Sequence, residues 1–448
     1  MKPKTKQLDI SEDSLDLFQK IVTTEENCFL LETLEDQDQP QSSSSSYIGF
    51  SPKKMFTSKN KQLSIDDQVV DTKNPYYELR NHIKTNTALD PGFIGGLVGY
   101  FSHEGISLLE PSIIFDYRRE FPDFQFGEYE DGVRYAPGRK PEYFYHKQDR
   151  SELIEDYREI SVSPLKIGSS NPHRTQKEHE AIIESAKHDI ENGRIFQVVL
   201  ANKYTYSHTG DLVKLYRKLR EINPSPFMFF MKFGDIITMG ASPELLAHTK
   251  PNGKVYLEAL AGTVRLGKTD EESKALADGL LKDTKEIAEH SMLVDLARND
   301  VGRISKIGSV KIENLMYIKK LSHVQHIASI VSGELAEGRD MFDSLASSFP
   351  AGTLSGAPKI EAIKMIGELE ATERGPYGGT IGYFSYNGDS MHAVNIRSVS
   401  AIGSRLYLHS GSGIVYDSDA KRECQEVNEK KAAMDSAMSG YSIKAEDE

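Results

Sequence analysis

Two glycine-rich segments near opposite ends of the chain repeat one another. Residues 92–102 and 375–385 match at every glycine and at a closing Tyr-Phe-Ser triplet. Glycine inside an apolar strand marks a kink or the close approach of another backbone, and repetition of such a unit indicates that a structural element has been duplicated. We therefore expect two related strands within an internally duplicated fold.

The other segments alternate between strand and helix patterns. In residues 25–50, two strand patterns flank a serine-rich loop. Thr175 and Glu178 form a capping box that predicts the start of a helix, and a strand pattern follows at 195–200. Further stretches, in chain order, are β-rich at 227–247, 254–266 and 378–415 and helical at 270–299, 322–335, 357–369 and 421–438. Runs of strands with helices between them indicate an α+β fold.

A polar stretch divides the chain into two predicted parts. Residues 117–174 are rich in Tyr, Asp and Pro and then become strongly polar. We place an N-terminal region at 1–165 and a larger domain at 170–440, which suits the length of the chain.

Composition excludes several classes of protein. The net charge of −13 argues against binding to nucleic acid, because that affinity depends largely on Lys and Arg. The chain has two cysteines, Cys28 and Cys424, which are too few for a disulfide framework or a structural zinc site. This low count fits a protein of a reducing compartment. The chain begins without an apolar signal region, and no run reaches the roughly 18 apolar residues of a membrane span. We expect a cytoplasmic protein with neither nucleic acid nor membrane as a partner.

Two acidic pairs with the spacing E-x-x-E stand out on predicted helices. Glu286 and Glu289 form the first pair, and Glu423 and Glu426 form the second. A spacing of three places both carboxylates of a pair on one helix face. Two such faces brought together would suit Mg²⁺, which binds one or two carboxylates directly and completes its octahedron with water and substrate oxygens. Two solvated acidic faces are the alternative, and for an isolated pair they are the better interpretation.

Residues 262–269 match the P-loop pattern G-x-x-x-x-G-K-[ST], which makes a nucleotide hydrolase a competing hypothesis. A phosphate-binding loop needs small residues, whereas Val264, Arg265 and Leu266 are bulky. Thr269 with Glu272 is better explained as a helix capping box. We therefore regard nucleotide binding as the less favoured hypothesis.

Six longer motifs follow one another along the chain, at 195–200, 242–246, 289–300, 349–359, 374–379 and 411–415. In these motifs the sequence resembles the chorismate-binding enzymes, most closely the large subunits of anthranilate synthases, and the resemblance extends over about 175–436. It implies the α+β fold of anthranilate and aminodeoxychorismate synthases, with two β-sheets packed between helices and an internal duplication.

The resemblance also implies a reaction. Enzymes of this kind are lyases of tryptophan biosynthesis that convert chorismate and ammonia to anthranilate and pyruvate. The ammonia comes from a glutamine amidotransferase small subunit (component II), and no amidotransferase nucleophile appears in this chain. Mg²⁺ is the implied cofactor, acting as a Lewis acid on the substrate. Glu289 and Glu426 would be its direct ligands, with Glu286 and Glu423 acting through water.

Further site residues are carried over from the same motifs. Glu244 matches the general acid for the departing hydroxyl, although a lone Glu in a capped turn is the simpler alternative. His326, rather than His323, matches the histidine of the pyruvate-releasing step, and either could be structural. Thr353 lines the ring of the substrate. The remaining implied substrate contacts are Tyr377, Arg397, Gly411, Gly413, Gly262 and Thr263.

Two positions distinguish branches of the family. Isochorismate and salicylate synthases carry a water-activating lysine where Gln197 stands, and aminodeoxychorismate synthases commonly carry a lysine nucleophile in the loop that contains Ala261. Both differences favour anthranilate, with aminodeoxychorismate synthase as the alternative. A degenerate, non-enzymatic binding subunit of the same fold is the other alternative. Ala259 and Cys424 replace the family's Pro and Tyr without removing a reactive group.

The resemblance also implies a regulatory pocket, part of which lies in the N-terminal region. The residues that resemble the tryptophan feedback site are Leu31, Glu32, Thr33, Asn223, Pro224, Pro226, Phe227 and Met228. Thr33 and Ser46 depart from the family, which usually has Ser at the first position and a basic residue at the second. We expect inhibition by L-tryptophan. The alternative is that Leu30 and Leu31 are simply residues of the hydrophobic core.

Overall fold

A computed structural model of the chain describes residues 2–33, 45–87, 89, 91–158 and 163–442. The N-terminal part contains β1 (Lys4–Gln7), α1 (Ser14–Thr24), β2 (Asn27–Thr33), β3 (Ser45–Phe50), β4 (Lys54–Lys59), β5 (Gln62–Ile65), β6 (Gln68–Val70), α2 (Pro75–His82), β7 (Gly96–Phe101), α3 (Ile106–Leu109), β8 (Phe124–Tyr129), β9 (Asp131–Tyr135), β10 (Glu142–Tyr145) and α4 (Ser151–Asp156).

The rest of the chain contains β11 (Lys166–Ile167), β12 (Asn171–Pro172), α5 (Gln176–Glu191), β13 (Gln197–Thr209), α6 (Val213–Ile222), β14 (Phe227–Phe233), β15 (Ile236–Ser242), β16 (Leu245–Thr249), β17 (Lys254–Arg265), α7 (Asp270–Leu280), α8 (Thr284–Gly302), β18 (Lys311–Lys320), β19 (Val324–Glu334), α9 (Met341–Ser348), β20 (Gly356–Ala357), α10 (Lys359–Glu370), β21 (Thr380–Ser385), β22 (Ser390–Val394), β23 (Ser398–Ile402), β24 (Arg405–Ile414) and α11 (Ala420–Ser439).

Within the described residues the strands form two sheets, of 13 and 11 strands. The first sheet has the order β1-β10-β9-β3-β2-β14-β15-β23-β24-β13-β11, and β12 and β20 also pair with β13. The second has the order β18-β19-β17-β16-β22-β21-β7-β8-β4-β5-β6. Each sheet therefore draws strands from both the N-terminal region and the larger domain.

The two parts of each sheet correspond strand for strand. β2 to β5 follow one another as β14 to β17 do, and β7 to β10 follow one another as β21 to β24 do. The copies meet where β2 pairs with β14 and where β7 pairs with β21, with Gly99 directly opposite Gly382. These glycines occupy equivalent positions of the sequence repeat, so an approximate two-fold axis passes between them. The predicted duplication is confirmed.

Close packing of strands explains the two central glycines. A Cβ at Gly99 would lie 2.0 Å from the carbonyl oxygen of Gln125, and a Cβ at Gly382 would lie 1.9 Å from that of Met391. Neither distance is possible for a real side chain, and in both cases the obstacle is a neighbouring strand's backbone. The repeat thus preserves a steric requirement in both copies.

One hydrophobic core lies between the two sheets. Phe29 and Phe229 of the first sheet share it with Tyr100 and Ile381 of the second. Burying one such phenylalanine contributes about 1.5–3 kcal/mol relative to leaving it exposed. Helices α1, α6 and α11 pack on the outer face of the first sheet, and α2, α8 and α9 pack on that of the second. The expected arrangement of two β-sheets between helices is confirmed.

The two copies differ most in one connection. β5 and β6 are joined by Asp66 and Asp67, whereas the equivalent strands β17 and β19 are separated by residues 266–323. This long connection contains α7, α8 and β18, so the helix that carries Glu286 and Glu289 has no counterpart in the first copy. The first predicted acidic pair therefore belongs to the second copy.

One predicted helix is wrong. Of the residues predicted as a helix at 322–335, Val324–Glu334 form the strand β19, which pairs with β17 on one side and β18 on the other and is buried along almost all of its length. A short apolar segment has no periodicity that separates a buried strand from a buried helix, so pairing with two neighbours decides the outcome.

Another predicted helix is divided. The single helix expected at 270–299 is interrupted after Leu280, and α8 begins with Asp283 as its N-cap, whose side chain accepts hydrogen bonds from the N–H groups of Lys285 and Glu286. By contrast, the capping box of Thr175 and Glu178 is present as predicted. The cap at Asp283 fixes where the first acidic pair sits on its helix.

Most of the serine-rich loop predicted between β2 and β3 lies outside the described residues, apart from Ser45 and Ser46, which begin β3. None of the described helices combines the length and the apolar character that crossing a bilayer requires.

Candidate active site

Glu244 lies in the short loop between β15 and β16 and is only 4% exposed. Its Oε1 accepts a hydrogen bond from the Thr353 hydroxyl at 2.7 Å. Burial raises the pKa of Glu244 to about 8; Glu258 adds to the rise, while the Thr353 hydrogen bond, Lys319 and Lys430 oppose it. The carboxyl group is therefore protonated at neutral pH, as a general acid must be.

Thr353 is placed by a 3₁₀ turn, Gly352–Leu354, between α9 and β20. A Cβ at Gly352 would lie 2.5 Å from a methyl carbon of Leu296 on α8, so the turn packs directly on that helix. The position of the Thr353 hydroxyl is thereby coupled to the helix that bears the first acidic pair.

His326 lies on β19 and is 7% exposed. Its Nδ1 is 3.0 Å from the Gly262 carbonyl oxygen and 3.0 Å from the Thr263 hydroxyl. A carbonyl only accepts, so Nδ1 carries the proton and Nε2 keeps its lone pair. Burial lowers the pKa of His326 to about 4, and the charge of Arg397 contributes. His326 is thus a neutral base, whereas His323 is exposed and contacts the hydroxyl of its neighbour Ser322.

Gly262, in strand β17, lies between His326 and the acidic helix α8. Gly262 has a φ of +63° and lies at a register shift between Ala261 and Thr263. A Cβ at this position would lie 3.0 Å from Oε2 of Glu286. Glycine therefore satisfies both a left-handed backbone and the approach of a carboxylate.

The four predicted metal ligands are divided between two helices, Glu286 and Glu289 on α8 and Glu423 and Glu426 on α11. Burial raises the pKa of Glu286 and of Glu289, and the nearby charge of Glu426 on the other helix raises both further. Oε2 of Glu423 is buried without a hydrogen-bond partner among the described residues. Like charges gathered around an unsatisfied carboxylate oxygen fit a cation that would compensate them.

Two lysines supply part of that compensation. Lys430 Nζ is 2.6 Å from Glu426 Oε1, and Lys285 Nζ is 3.7 Å from Glu289 Oε1. Across the described residues, no three His, Cys, Asp or Glu side chains already converge as a finished metal site. The donor set suits Mg²⁺ bound through few carboxylates, with water and substrate oxygens in the other positions.

Tyr377 and Arg397 lie close enough to affect one another's ionisation. The Tyr377 ring stacks on His409, with centroids 5.1 Å apart and an interplanar angle of 12°. Arg397 has a left-handed backbone, with φ +52°, and its Nη1 donates to the Lys430 carbonyl oxygen at 2.6 Å. The charge of Arg397 also lowers the pKa of His326.

Gln197 and the two predicted glycines lie on the paired strands β13 and β24. A Cβ at Gly413 would lie 2.9 Å from Gln197 Nε2, so the amide covers this glycine. The buried Gln197 Oε1 has no hydrogen-bond partner among the described residues. The carbonyl oxygen of Gly411 accepts a hydrogen bond from Lys430 Nζ at 3.1 Å.

Sequence reasoning missed several residues of this site. Lys430 contacts Glu426 and Gly411 and influences the pKa of both Glu244 and His326. Its position one helical turn after Glu426 was the available signal, because residues four apart on a helix are neighbours.

Arg374 was also missed, although its neighbours were assigned. It is 1% exposed, donates to the carbonyl oxygens of Leu354 and Val199 at 2.7 and 2.8 Å, and pairs with Glu370. Its guanidinium carbon lies 5.8 Å from the centre of the Tyr377 ring. Arg374 thus joins β13, the Thr353 turn and the loop of Tyr377.

The residues predicted for tryptophan feedback lie in two adjacent segments. Thr33 is opposite Phe227 and Glu32 is opposite Met228 where β2 pairs with β14. Asn223, Pro224 and Pro226 lie in the connection from α6 to β14. The Glu32 carboxylate is buried and accepts hydrogen bonds from Ser14, Tyr216 and Arg220. Its oxygens are therefore already engaged by donors of this chain.

The P-loop pattern does not form a phosphate-binding loop. Residues 262–265 belong to strand β17, and Thr269 caps α7. The N–H groups of Leu266, Gly267 and Lys268 donate to the His323 carbonyl, the Ser273 hydroxyl and the Glu272 carboxylate, respectively. With these three donors occupied, the segment does not present the converging N–H groups of a phosphate-binding loop.

Comparison with known proteins shows the family to which the chain belongs. A model of the chorismate binding enzyme family matches residues 7–436. The chain is 38% identical to an anthranilate synthase component 1 of Methanothermobacter marburgensis, covering 97% of this chain and 94% of that protein. It is 37% identical to one of Leptospira biflexa, covering 98% and 96%.

Solved structures give the same result. The crystal structure of anthranilate synthase component I from Streptococcus pneumoniae matches with a TM-score of 0.79 and 34% identity, covering 90% of this chain and 93% of that chain. The menaquinone-specific isochorismate synthase of Escherichia coli shares the fold, with a TM-score of 0.73 at 21% identity, covering 97% and 95%. Since the family model spans nearly the whole sequence and relatives above 30% identity are covered end to end, this chain belongs to the chorismate-binding enzymes.

Proposed function

We propose that this chain is the large subunit of an anthranilate synthase, which converts chorismate and ammonia to anthranilate and pyruvate. The observation that carries the proposal is the buried Glu244, protonated at neutral pH and hydrogen-bonded to Thr353. The relatives named anthranilate synthase component 1 support the choice of product.

In the first step Glu244 acts as the general acid. Chorismate loses its hydroxyl group while ammonia adds at the other end of the diene. Glu244 gives its proton to the hydroxyl, which leaves as water, and the ammonium group formed on the ring returns a proton to the carboxylate. A carboxyl with a pKa of about 8 is well matched to this exchange near neutral pH.

In the second step the ring loses a proton and the enolpyruvyl group and becomes aromatic, and the departing enolpyruvate takes up one proton to become pyruvate. His326 is suited to receive the ring proton, because its Nε2 keeps a lone pair and its pKa of about 4 leaves it neutral. The Gly262 carbonyl and the Thr263 hydroxyl hold the imidazole in this tautomer.

Two anionic groups of the substrate need separate partners. Glu289 and Glu426 would hold Mg²⁺ directly, with Glu286 and Glu423 acting through water; the bound ion would neutralise the ring carboxylate and make the ring more electrophilic. Arg397 and Tyr377 are proposed to bind the carboxylate of the pyruvyl side, since a guanidinium supplies charge and bidentate hydrogen bonds. Gly411, Gly413 and Lys430 extend this second anion site.

Two side chains favour ammonia over other nucleophiles. Gln197 is a poor base for activating water, which disfavours isochorismate as the product. Ala261 cannot act as the lysine nucleophile of many aminodeoxychorismate synthases, which is the remaining alternative. The proposed partner is a separate glutamine amidotransferase subunit, and the proposed inhibitor is L-tryptophan at the segments of β2 and β14. A cytoplasmic location belongs to the same proposal.

Product analysis tests the proposal. The purified chain is incubated with chorismate, Mg²⁺ and an ammonium salt, and products are separated by chromatography with fluorescence detection. We expect anthranilate and pyruvate in equal amounts, with inhibition when L-tryptophan is added to the same reaction. Isochorismate or aminodeoxychorismate would assign the chain to a sister branch, and no consumption of chorismate, even with the small subunit present, would refute the proposal.

A further inference from the structure

An ion pair is buried directly beneath the loop of Glu244. Lys319 on β18 and Glu258 on β17 each have side chains only 1% exposed. Lys319 Nζ donates to both carboxylate oxygens of Glu258, at 2.8 and 3.0 Å, and the Tyr317 hydroxyl donates to the same carboxylate at 3.2 Å. Removing two charges from water is costly, and such a pair is weak evidence for stability alone.

The pair forms hydrogen bonds with the backbone on both sides of Glu244. Lys319 Nζ donates to the carbonyl oxygen of Pro243 at 3.3 Å, and the N–H of Leu245 donates to Glu258 Oε2 at 3.3 Å. The residue before Glu244 and the residue after it are therefore each tied to one member of the pair. Because only Pro243 and Glu244 separate β15 from β16, these two contacts fix the direction in which the Glu244 side chain leaves the loop.

The pair also contributes to the electrostatic field around Glu244. The charged and titratable groups that act on this carboxyl are Glu258 and Lys319 from the second sheet and Lys430 from α11, and Thr353 donates a hydrogen bond from the 3₁₀ turn. Glu258 raises the pKa of Glu244 by more than Lys319 lowers it. The net effect of the pair is thus to favour the protonated carboxyl.

We propose that Glu258 and Lys319 are positioning residues for Glu244, holding its loop through Pro243 and Leu245 and favouring the form that donates a proton to the leaving hydroxyl. This inference rests on the proposed function of Glu244. Because both side chains are only 1% exposed, the role assigned to the pair acts through the loop. Its role is to keep the Glu244 carboxyl group in place during the first step, because a small displacement of a catalytic group lowers the rate strongly.

An apolar replacement separates positioning from folding. The double variant E258L/K319M exchanges the pair for side chains of similar size, a change that buried ion pairs commonly tolerate without loss of stability. We expect Tm at or above that of the wild type, a KM for chorismate close to the wild-type value and a kcat lower by about 10- to 100-fold. A folded double variant with wild-type kcat would overturn the inference.

The single variant E258Q supplies a readout that a purely structural role would not move. It removes the carboxylate charge while keeping the size of the side chain. Whether Lys319 then stays charged or loses its proton, the pKa of Glu244 falls, because the pair's contribution raised it. The alkaline limb of kcat/KM, expressed per free ammonia, should move down by about one pH unit. An unchanged limb in active E258Q would contradict the inference.

A matched control uses an ion pair remote from the site. Asp131 on β9 pairs with Arg150, at the N-terminal end of α4, and their side chains are 4% and 24% exposed. The variant D131L/R150M should leave both kcat and the alkaline limb as in the wild type. If the wild-type chain does not convert chorismate, the proposed function fails; if it does and E258L/K319M matches it, only the role of Glu258 and Lys319 fails.

Discussion

The surroundings of Glu244 raise the pKa of its carboxyl group well above the ordinary value for a glutamate. Burial opposes the charged form, and the neighbouring Glu258 adds to that opposition. The Thr353 hydroxyl acts in the other direction, because a hydrogen bond donated to a carboxylate stabilises the charged form. The balance leaves a pKa of about 8, which makes the residue an acid at neutral pH and a carboxylate in alkaline solution.

The first prediction concerns the alkaline side of the rate profile. In the proposed mechanism the acid form of Glu244 is the active one, so kcat/KM per free ammonia should be level near neutrality and fall above about pH 8. Replacement by the amide in E244Q should lower kcat about 10²- to 10⁴-fold and abolish this limb. Rates must be referred to free ammonia, since its concentration itself rises with pH. An E244Q enzyme with near-normal kcat would contradict the assignment.

Thr353→Val is a companion to that experiment, with an effect of opposite sign to that of E258Q. Loss of the donated hydrogen bond raises the pKa of Glu244, so the alkaline limb should move to higher pH while kcat decreases. A limb that moves to lower pH would show that another group controls the titration.

At this scale the sequence predicted individual reactive groups better than their supports. Glu244, Thr353 and His326 each lie within a recognisable motif. Glu258 and Lys319 are 61 residues apart and meet only because β17 and β18 flank the same strand, β19. No local pattern in the sequence contains that pairing.

Among the elements, α8 and α11 form the acidic half of the site. Each helix begins with an aspartate N-cap, Asp283 for α8 and Asp419 for α11. These caps place the acidic pairs in the first two turns, where the helix dipole favours negative charge. The pKa of Glu286 and of Glu289 is raised all the same, because burial and mutual repulsion outweigh the dipole.

The second prediction follows from this repulsion. A carboxylate with a raised pKa destabilises the folded protein once it ionises, so E289Q should raise the Tm of the metal-free protein at neutral pH. The same variant should reduce the increase in Tm that Mg²⁺ gives to the wild type, since binding stabilises the folded state in proportion to affinity. Calorimetry with and without Mg²⁺ measures both effects.

Position on the same helix provides the control. Asp295 is exposed on α8 and pairs with Arg298. D295N should therefore change the free energy of unfolding by no more than about 0.5 kcal/mol, both without metal and with Mg²⁺. An E289Q protein that responds to Mg²⁺ like the wild type would show that the cation binds elsewhere.

Element boundaries were predictable where they depended on local chemistry. The helix start at Thr175 follows from a capping box within four residues of sequence. The strand at 324–334 did not follow from its own residues, because its two neighbours in the sheet determine its conformation. The fact that the two glycine repeats pair side by side was likewise a matter of tertiary structure.

The whole molecule is held together at the centres of its two sheets. The N-terminal region and the larger domain meet at the pairs β2–β14 and β7–β21, and the core between the sheets takes side chains from both. Separation would expose a central strand edge in each sheet together with that core. Unpaired central edges and an open core are incompatible with independent stability.

The third prediction is that residues 1–165 and residues 170–440 do not fold separately. Each piece expressed alone should lack a cooperative thermal transition and bind a hydrophobic dye, whereas the intact chain should unfold in one calorimetric transition. Co-expression of the two pieces should restore a soluble complex. A fragment of residues 170–440 that melts cooperatively by itself would contradict this view.

The unequal connections described for the two copies have a consequence for how the molecule can change over generations. Within the part of the chain that the structure describes, the copy with the long insertion between β17 and β19 carries the acidic helix α8 and Glu244, while the first copy has a two-residue turn at the equivalent place. The first copy supplies core side chains and central strand pairs but none of the proposed reacting groups. The departures from the family at Thr33 and Ser46 fall in this first copy. If these positions do bind an effector, a change there would alter regulation and leave every proposed reacting group in place.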